Sequence, residues 1–525
     1  MKLDLNLELI DRSLAESSLA EFIKQAWPIV EPTTPLLWNW HLDAICEHLE
    51  AVAAGEITRL IINVSPRSGK SLITSVLFPT WLWVGSPEER LVFASFNAAL
   101  AVKFSIDRRA VILSRWYQAR WGERVRLADD ANLKTEFQNS ARGHMLATSV
   151  GASATGRGGN YLISDDLINP DMAESELERE GALRWFDETL SSRLDDKRAG
   201  RIVAVEQRTH QNDLSGHLLA QGGWTHLCLP AEFDKRTTFT FPRSKRQITM
   251  EEGSLLWPAR EGRRELDAAR VRLGPHAYKL QYLQKSVARG GNWFKRDDFG
   301  RFQVVPRRFD RVVLSFDTAY GKGQTDDYSA GVVVGEIRNR DAENSRPGFY
   351  VLNVWRGRVP FGELKATAQQ LAAVWRPDAV LIEDSASGQS LIQELRADTS
   401  LPVKPVRADH DKRSRAAAVD PVVSNRQVYL TDGAAWVGDF LDEVCGFPSW
   451  AHDDMTDSFV QAINYLRSTS TEGHYQISTL GAGLYLTRAS NRRGGSRRHR
   501  PANWNSGRSR RRRMGRPPGV TTAAR

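Results

Sequence analysis

An apolar run, a glycine-bearing turn and an apolar helix follow one another without interruption from Ile57 to Val84 (ITRLIINV, SPRSG, KSLITSVLFPTWLWV), and few folds accommodate that order. A buried strand that turns straight into a helix is half of a βαβ unit, so this stretch predicts an α/β domain with a mostly parallel sheet. The turn also carries chemistry. Glycine permits close backbone approach, and successive N–H groups at a helix N-terminus cradle phosphate oxygens. In SPRSGKS, Gly69 is the permissive residue, Lys70 the cation for β and γ phosphates, and Ser71 the hydroxyl for Mg²⁺. Ser65, Pro66, Arg67 and Ser68 complete the loop, with Val64 where the general pattern has its first glycine.

A second apolar strand, YLISDDL (Tyr161–Leu167), ends on two carboxylates, the first of them 95 residues after Lys70. Asp165 is positioned to hold Mg²⁺, and Asp166 to polarise an attacking water, although it is one methylene shorter than the more usual Glu. Arg67 in the loop and Arg157 before the strand are candidates to stabilise charge on a transferring phosphoryl group. The plain alternative is that both acids merely cap the next element.

A separate set of acids lies far downstream. VVLSFDTA ends a strand on Asp317, AVLIED ends another on Glu383 and Asp384, and HDDMTD opens a helix with Asp453, Asp454 and Asp457. Two divalent cations about 3.5–4 Å apart can cut a phosphodiester, and holding them takes several converging carboxylates. Asp317, Glu383 and Asp454, separated by 66 and 71 residues, fit a ribonuclease-H-like order of strands and helix, with Asp457 three residues on and on the same helical face. A lone strand-terminal Asp is more often a turn former. Asp327, Asp384 and Asp453 are supporting or alternate ligands in this reading, and Asp326 and Asp411 have no role in it.

At 525 residues the chain exceeds one core, and its 41% hydrophobic and 26% charged content predicts that most of it folds. The divisions expected are 1–225, a helical segment and P-loop ATPase domain of the ASCE type; 226–305, a linker or lid; 306–470, a nuclease domain with a mixed sheet; and 471–525, a basic tail. Helical spacing dominates residues 5–54, one long helix is expected from Asn97 to about Trp121, and the downstream strands near 311–317, 328–335 and 349–355 should form a meander. The thirteen arginines from Arg488 to Arg525, without Lys, Asp or Glu, exceed the whole chain's net charge of +9, so the first 487 residues are slightly acidic. That tail is too poor in aliphatic residues to fold alone and suits a phosphate backbone or an acidic partner. No apolar run approaches membrane length, the acids in MKLDLNLELIDRSLAE exclude a signal peptide, and Cys46, Cys228 and Cys445 form neither a disulfide framework nor a zinc pattern.

The phosphate loop SPRSGKS, with WNWHLDAICEHLEAV before it and ASFNAALA, TGRGGNYLISDDLINP and VEQRTHQNDLSGHLL after it, resembles the large terminase subunits of tailed bacteriophages. SFDTAYGKGQTDDYSAGVVV, LIEDSASGQSLIQEL and HDDMTDSFVQAINYL resemble the nuclease motifs of the same family, so the likeness runs from about Trp38 to about Leu466. The resemblance implies an ATPase that drives double-stranded DNA into a procapsid and a metal-dependent endonuclease that cuts the concatemer. It implies ATP and Mg²⁺ as cofactors, with Mn²⁺ an alternative in the nuclease. The implied partners are DNA, the portal protein, the small terminase subunit and further copies of the chain in a ring, in the host cytoplasm and on the procapsid, with no membrane. It also places Trp38 to His41 near the adenine and Gln207 to His210 in the motif coupling hydrolysis to movement. Two other readings compete: a helicase-nuclease of repair or defence, and an inactive adaptor that clamps DNA through its tail.

Overall fold

Strand β1 (Arg59–Val64) is buried along nearly its whole length, as expected for a central parallel strand covered on both faces. The same holds for β2 (Leu91–Ser95). Three less apolar strands follow: β3 (Leu127–Asn132), β4 (Glu136–Asn139) and β5 (His144–Ser149). Then come β6 (Tyr161–Asp165), β7 (Arg201–Glu206) and β8 (Thr225–Leu229). They form one sheet in the order β3-β4-β5-β2-β6-β7-β1-β8, parallel from β5 to β8, with β3 and β4 antiparallel at one edge. Strand β7 stands between β1 and β6, the ASCE arrangement. Registers Asn63↔Glu206 and Asp165↔Val205 bring the carboxyl ends of these three strands to one edge.

This is a computed structural model, and it describes residues 2–152, 156–285, 293–319, 328–338, 346–407, 411–469, 475–479 and 484–488. Asp326, Asp327 and most of the arginine-rich tail lie outside those residues. Helices Lys2–Ser17, Leu19–Val30 and Trp40–Ala53 account for the helical spacing at the start of the chain. The single helix expected over 97–121 is instead two, Ala98–Leu113 and Arg115–Trp121. Ser114 is extended, and its hydroxyl accepts the Tyr117 N–H, so a local cap outcompetes helix continuation. After the phosphate loop the chain makes wide π turns over Leu72–Leu77, and Pro79 sits in the first turn of the regular helix Phe78–Gly85, where its missing N–H costs no bond.

A small antiparallel hairpin, β9 (Thr237–Thr240) and β10 (Gln247–Met250), follows the first sheet. Helix Arg263–Gln281 is kinked at Gly274, whose φ of 77° suits glycine. The second sheet comprises β11 (Gly300–Phe302), β12 (Arg311–Asp317), β13 (Ser329–Ile337), β14 (Gly348–Gly357), β15 (Ala379–Glu383), β16 (Val403–Val406) and β17 (Val428–Thr431). Its order is β11-β17-β14-β13-β12-β15-β16. The antiparallel meander β12–β13–β14 is flanked by parallel pairs, which makes the sheet mixed as the sequence predicts.

Alternation along the strands divides the core. In β12 and β15, Val313, Ala379 and Leu381 pack beneath helix Asp454–Ser468 through Met455, Phe459 and Ile463, whereas Leu314, Phe316, Val380 and Ile382 face the opposite layer. By the same period of two, Asp317 and Glu383 are on the face covered by that helix. Residues 1–468 form one compact unit, and 469–525 form another in which Tyr475–Thr479 pairs antiparallel with Leu484–Arg488. Among the described residues no helix is long and apolar enough to cross a membrane.

Candidate active sites

The first site stands at the carboxyl edge of the first sheet. The loop after β1 turns through two left-handed residues, Gly69 at φ 88° and Arg67 at φ 60°. The second is uncommon for a side chain with a Cβ, and such strain clusters at functional sites. Ser65, Ser68 and Lys70 are buried, while Pro66 is half-buried and Arg67 exposed. Ser71 Oγ donates to Asp165 Oδ1 at 2.8 Å, and Ser75 Oγ donates to Asp165 Oδ2 at 2.7 Å. Lys70 Nζ pairs with Asp166 Oδ1 at 2.8 Å. Burial, and then the neighbouring Asp166 charge, push Asp165 up to about 6, against Lys70 and the two serine hydroxyls. Asp166 is itself left-handed at φ 44°, and its Oδ1 also accepts the Gln207 N–H at 3.0 Å.

A cavity of about 190 Å³ adjoins the loop, lined by Ser65 to Ser68 on one side and by Leu256, Trp257, Arg260 and Tyr282 among others on the far side. His41 joins the two sides. Its ring packs on Trp257 at 4.7 Å between centroids, and its Nε2 lies 3.4 Å from the Ser68 carbonyl. Asn39 Nδ2 donates to His41 Nδ1 at 2.6 Å, which leaves the ring proton on Nε2 for that carbonyl. Ser68 Oγ, on the cavity rim, and Gln207 Oε1, beside Asp166, are buried without a hydrogen-bond partner in the protein. Hard oxygens at Asp165 and Ser71 and the cation at Lys70 fit a magnesium-bound nucleoside triphosphate. A second cavity, about 380 Å³ and lined by Phe186, Leu194, Trp224 and Lys197 among others, shares none of these residues.

Glu206 and Arg108 escape sequence reading, whereas Arg208 and Arg157 lie where the sequence already pointed. Glu206, at the end of β7, is fully buried and held well above the usual carboxylate range by burial and by Asp213 and Asp166. Arg108 is fully buried with its guanidinium 3.6 Å from the Phe93 ring centroid and donates to the Ser75 carbonyl at 2.5 Å. Arg208, in the stretch proposed to couple hydrolysis to movement, makes a buried two-oxygen pair with Asp213. Arg157 pairs with Glu136 at 2.8 Å. An acid closing the apolar run RIVAVE was the only available signal for Glu206.

The second site lies at the end of the second sheet. Phe316 pairs with Ile382 across parallel β12 and β15, so Asp317 and Glu383 occupy neighbouring strand ends. Helix Asp454–Ser468 is fixed to that end by Ser458, whose hydroxyl contacts the Ser315 and Ala330 carbonyls at 3.1 and 3.0 Å and accepts the Asp317 N–H at 3.0 Å. Gln461 adds a bond to Ser315 Oγ at 2.9 Å. The first turn is capped by buried Glu443, which accepts the Met455 and Thr456 N–H groups and pairs with Arg356. This anchoring buries Asp454 and Asp457 beside the strand ends. Burial, then Asp457 and Glu383, push Asp317 up to about 8.

Two basic side chains stand among these acids. Lys412 Nζ is 2.7 Å from both Asp453 Oδ2 and Asp457 Oδ2. Arg415 reaches Glu383 at 3.2 Å and Asp457 at 3.5 Å. Among the described residues, no three acidic, His or Cys side chains are close enough to enclose one metal ion. The oxygen donors suit hard divalent cations, and burial together with the neighbouring carboxylates makes positive charge favourable at this site. Here Lys412 and Arg415 supply it. Asp384 points elsewhere, accepting from Gln389 at 3.4 Å, and Asp411 caps helix Lys412–Ser424.

Comparison with known proteins gives one family match: residues 314–466 match the model for the terminase RNase H-like domain. Among solved structures, the chain is similar to the large terminase of a thermophilic bacteriophage, at 14% identity over 80% of this chain and 98% of that one, with a TM-score of 0.49. It is also similar to the large terminase of bacteriophage HK97, at 12% identity over 79% of this chain and 90% of that one, TM-score 0.34. A third is the large terminase nuclease of another thermophilic phage, G20c, with bound zinc, at 17% identity over 32% and 94%, TM-score 0.24. No curated protein matches the chain. Residues 314–466, which carry Asp317, Glu383, Asp454 and Asp457 at one end of their sheet, thus match the family model of the terminase RNase H-like domain.

Proposed function

We propose that this chain is the large subunit of a phage DNA-packaging motor, an ATPase that translocates double-stranded DNA and an endonuclease that cuts it. The observation that carries this reading is the union, in one chain, of a phosphate loop whose Ser71 and Lys70 bond Asp165 and Asp166 with a terminase RNase H-like domain. Residues 1–225 supply the ATPase, 226–305 the connecting segment, 306–470 the nuclease and 471–525 a basic tail. The portal protein, the small terminase subunit and a ring of copies on the procapsid, in the host cytoplasm, are the partners and setting that follow.

In the ATPase, Ser65 to Lys70 would hold the triphosphate, with Lys70, now paired with Asp166, the cation for its β and γ phosphates. Asp165 and Ser71 hold Mg²⁺. Asp166, released from Lys70, polarises the attacking water, and Arg67 faces the nucleotide cavity as a charge stabiliser. In the nuclease, Asp317, Glu383, Asp454 and Asp457 would hold divalent cations. When bound, such ions activate water and stabilise the leaving oxygen. Ser458 and Gln461 keep the carboxylate-bearing helix in register with the strand ends.

The test uses purified full-length chain assayed for ATP hydrolysis, for Mg²⁺-dependent plasmid cutting, and for strand separation. Lys70→Ala should abolish hydrolysis and spare cutting, and Asp317→Ala should do the reverse. Undiminished hydrolysis in Lys70→Ala, or undiminished cutting in Asp317→Ala, would sink the corresponding assignment. Strand separation would favour the helicase-nuclease reading.

A further inference from the structure

Helix Lys412–Ser424 enters neither proposed reaction, yet its first turn touches both halves of the molecule. Inward, Lys412 bonds Asp453 and Asp457, and Arg415, three residues on and on the same face, bonds Glu383 and Asp457. Arg415 is mostly buried, and its carbonyl accepts from Asn464 on the carboxylate-bearing helix at 3.1 Å. Outward, the Asp411 carboxylate faces the Ser175 hydroxyl, and Arg413 lies 3.8 Å from Glu176. Ser175 and Glu176 open helix Glu176–Trp185, on the segment leaving Asp165 and Asp166. Further along, Asn425 donates to the Val271 carbonyl at 2.6 Å, and a Cβ on Gly274 would lie 3.3 Å from Pro421 Cα.

We infer that Lys412 and Arg415 are resident counter-cations of the nuclease carboxylates, which divalent cations must displace, and that docking of their helix on the segment at Ser175 sets how readily they yield. This rests on the nuclease reading above and deepens it. A lone pair of Asp457 or Glu383 that accepts from Lys412 or Arg415 is closed to a metal ion until that bond breaks. Two fixed positive charges beside the site also repel an arriving divalent ion. The carboxylates are thereby held together without metal, at the cost of weaker metal binding. Lys412 and Arg415 act in this way as positioning residues, through Asp457 and Glu383.

The experiment follows thermal unfolding of the full chain, without nucleotide, across a Mg²⁺ titration. Asp317→Asn identifies the portion of the shift that belongs to the nuclease site. Lys412→Met should lower the half-saturating Mg²⁺ concentration by ~10-fold, equivalent to ~1.4 kcal/mol. Lys412→Arg, which keeps the charge, should remain near wild type. Ser175→Gly removes the hydroxyl that faces Asp411 while glycine remains an acceptable helix cap, and it should lower half-saturation by a smaller factor, ~3-fold. Unchanged or weaker Mg²⁺ binding in Lys412→Met would overturn the counter-cation role. Tighter binding in Lys412→Met with no change in Ser175→Gly would overturn the control exerted by docking. A wild-type chain that neither binds Mg²⁺ through Asp317 nor cuts DNA overturns the nuclease reading itself, whereas cutting with no gain in Lys412→Met overturns this inference alone.

Discussion

Asp166 separates binding from turnover in the ATPase. Its Oδ1 receives both the Lys70 ammonium and the Gln207 N–H, and an asparagine oxygen can accept both while carrying no charge. Asp166→Asn should therefore keep nucleotide affinity within a few-fold and lower turnover by roughly 10²–10⁴, the usual contribution of a general base. Equilibrium nucleotide binding measured beside steady-state hydrolysis distinguishes the two. Loss of binding in Asp166→Asn would make it a metal ligand instead. His41 gives a pH dependence. Burial, then the positive Arg260, lower its pKa from 6.5 to about 4, against the Ser68 carbonyl. A depressed folded pKa means stability that is fully present above 6.5 and lost as pH falls towards about 4, because the unfolded chain takes up the proton first. The unfolding temperature of wild type should fall more steeply between pH 6.5 and 4 than that of His41→Gln, and parallel curves would remove His41 from the acid response. Asp165, Asp166, Asp317 and Glu383 were readable in the sequence because each ends an apolar run. Lys412 and Arg415 were not, because their significance comes from carboxylates 30 or more residues away in the chain.

Helix Asp454–Ser468 shows what local pattern can and cannot specify. The spacing of Asp454 and Asp457 placed both acids on one face, but not what holds that face against the strands. Ser458 does so from a buried position, accepting the Asp317 N–H and placing its one hydroxyl proton within reach of the Ser315 and Ala330 carbonyls of β12 and β13. Ser458→Ala leaves the Asp317 N–H without its side-chain acceptor and removes a hydroxyl donor to the strand carbonyls, at a cost of about 1–3 kcal/mol. Metal-dependent cutting should drop while ATP hydrolysis is retained, and cutting at wild-type rates would mean that the helix is held by its apolar contacts alone. The same limit explains the misread elements. Strands with strongly apolar residues, β1, β2, β6, β12 and β15, follow from their sequences, whereas β3 (LADDAN) and β4 (EFQN) exist because β5 offers them a sheet edge. Ser114 split the expected long helix through a cap bond that competes with helical continuation at nearly equal local preference.

Across the whole molecule, charge is distributed unevenly, and that leads to a prediction about DNA. Thirteen arginines lie between Arg488 and Arg525 with no acid among them, while the rest of the chain is slightly acidic. Both proposed active sites lie upstream, so removing everything after Thr487 should leave ATP hydrolysis intact, and cutting intact at saturating DNA. Affinity is another matter. Each phosphate neutralised releases condensed counterions and adds about 0.9 to the slope of log affinity against log salt. If only six of the arginines engage phosphates, truncation should make that slope shallower by roughly 5 and weaken binding most at low salt. DNA affinity of the full-length and truncated chains, measured across one salt series, tests this directly. Identical slopes would show that the arginines do not contact DNA, and an acidic surface on the portal or small terminase subunit would then be the partner to examine.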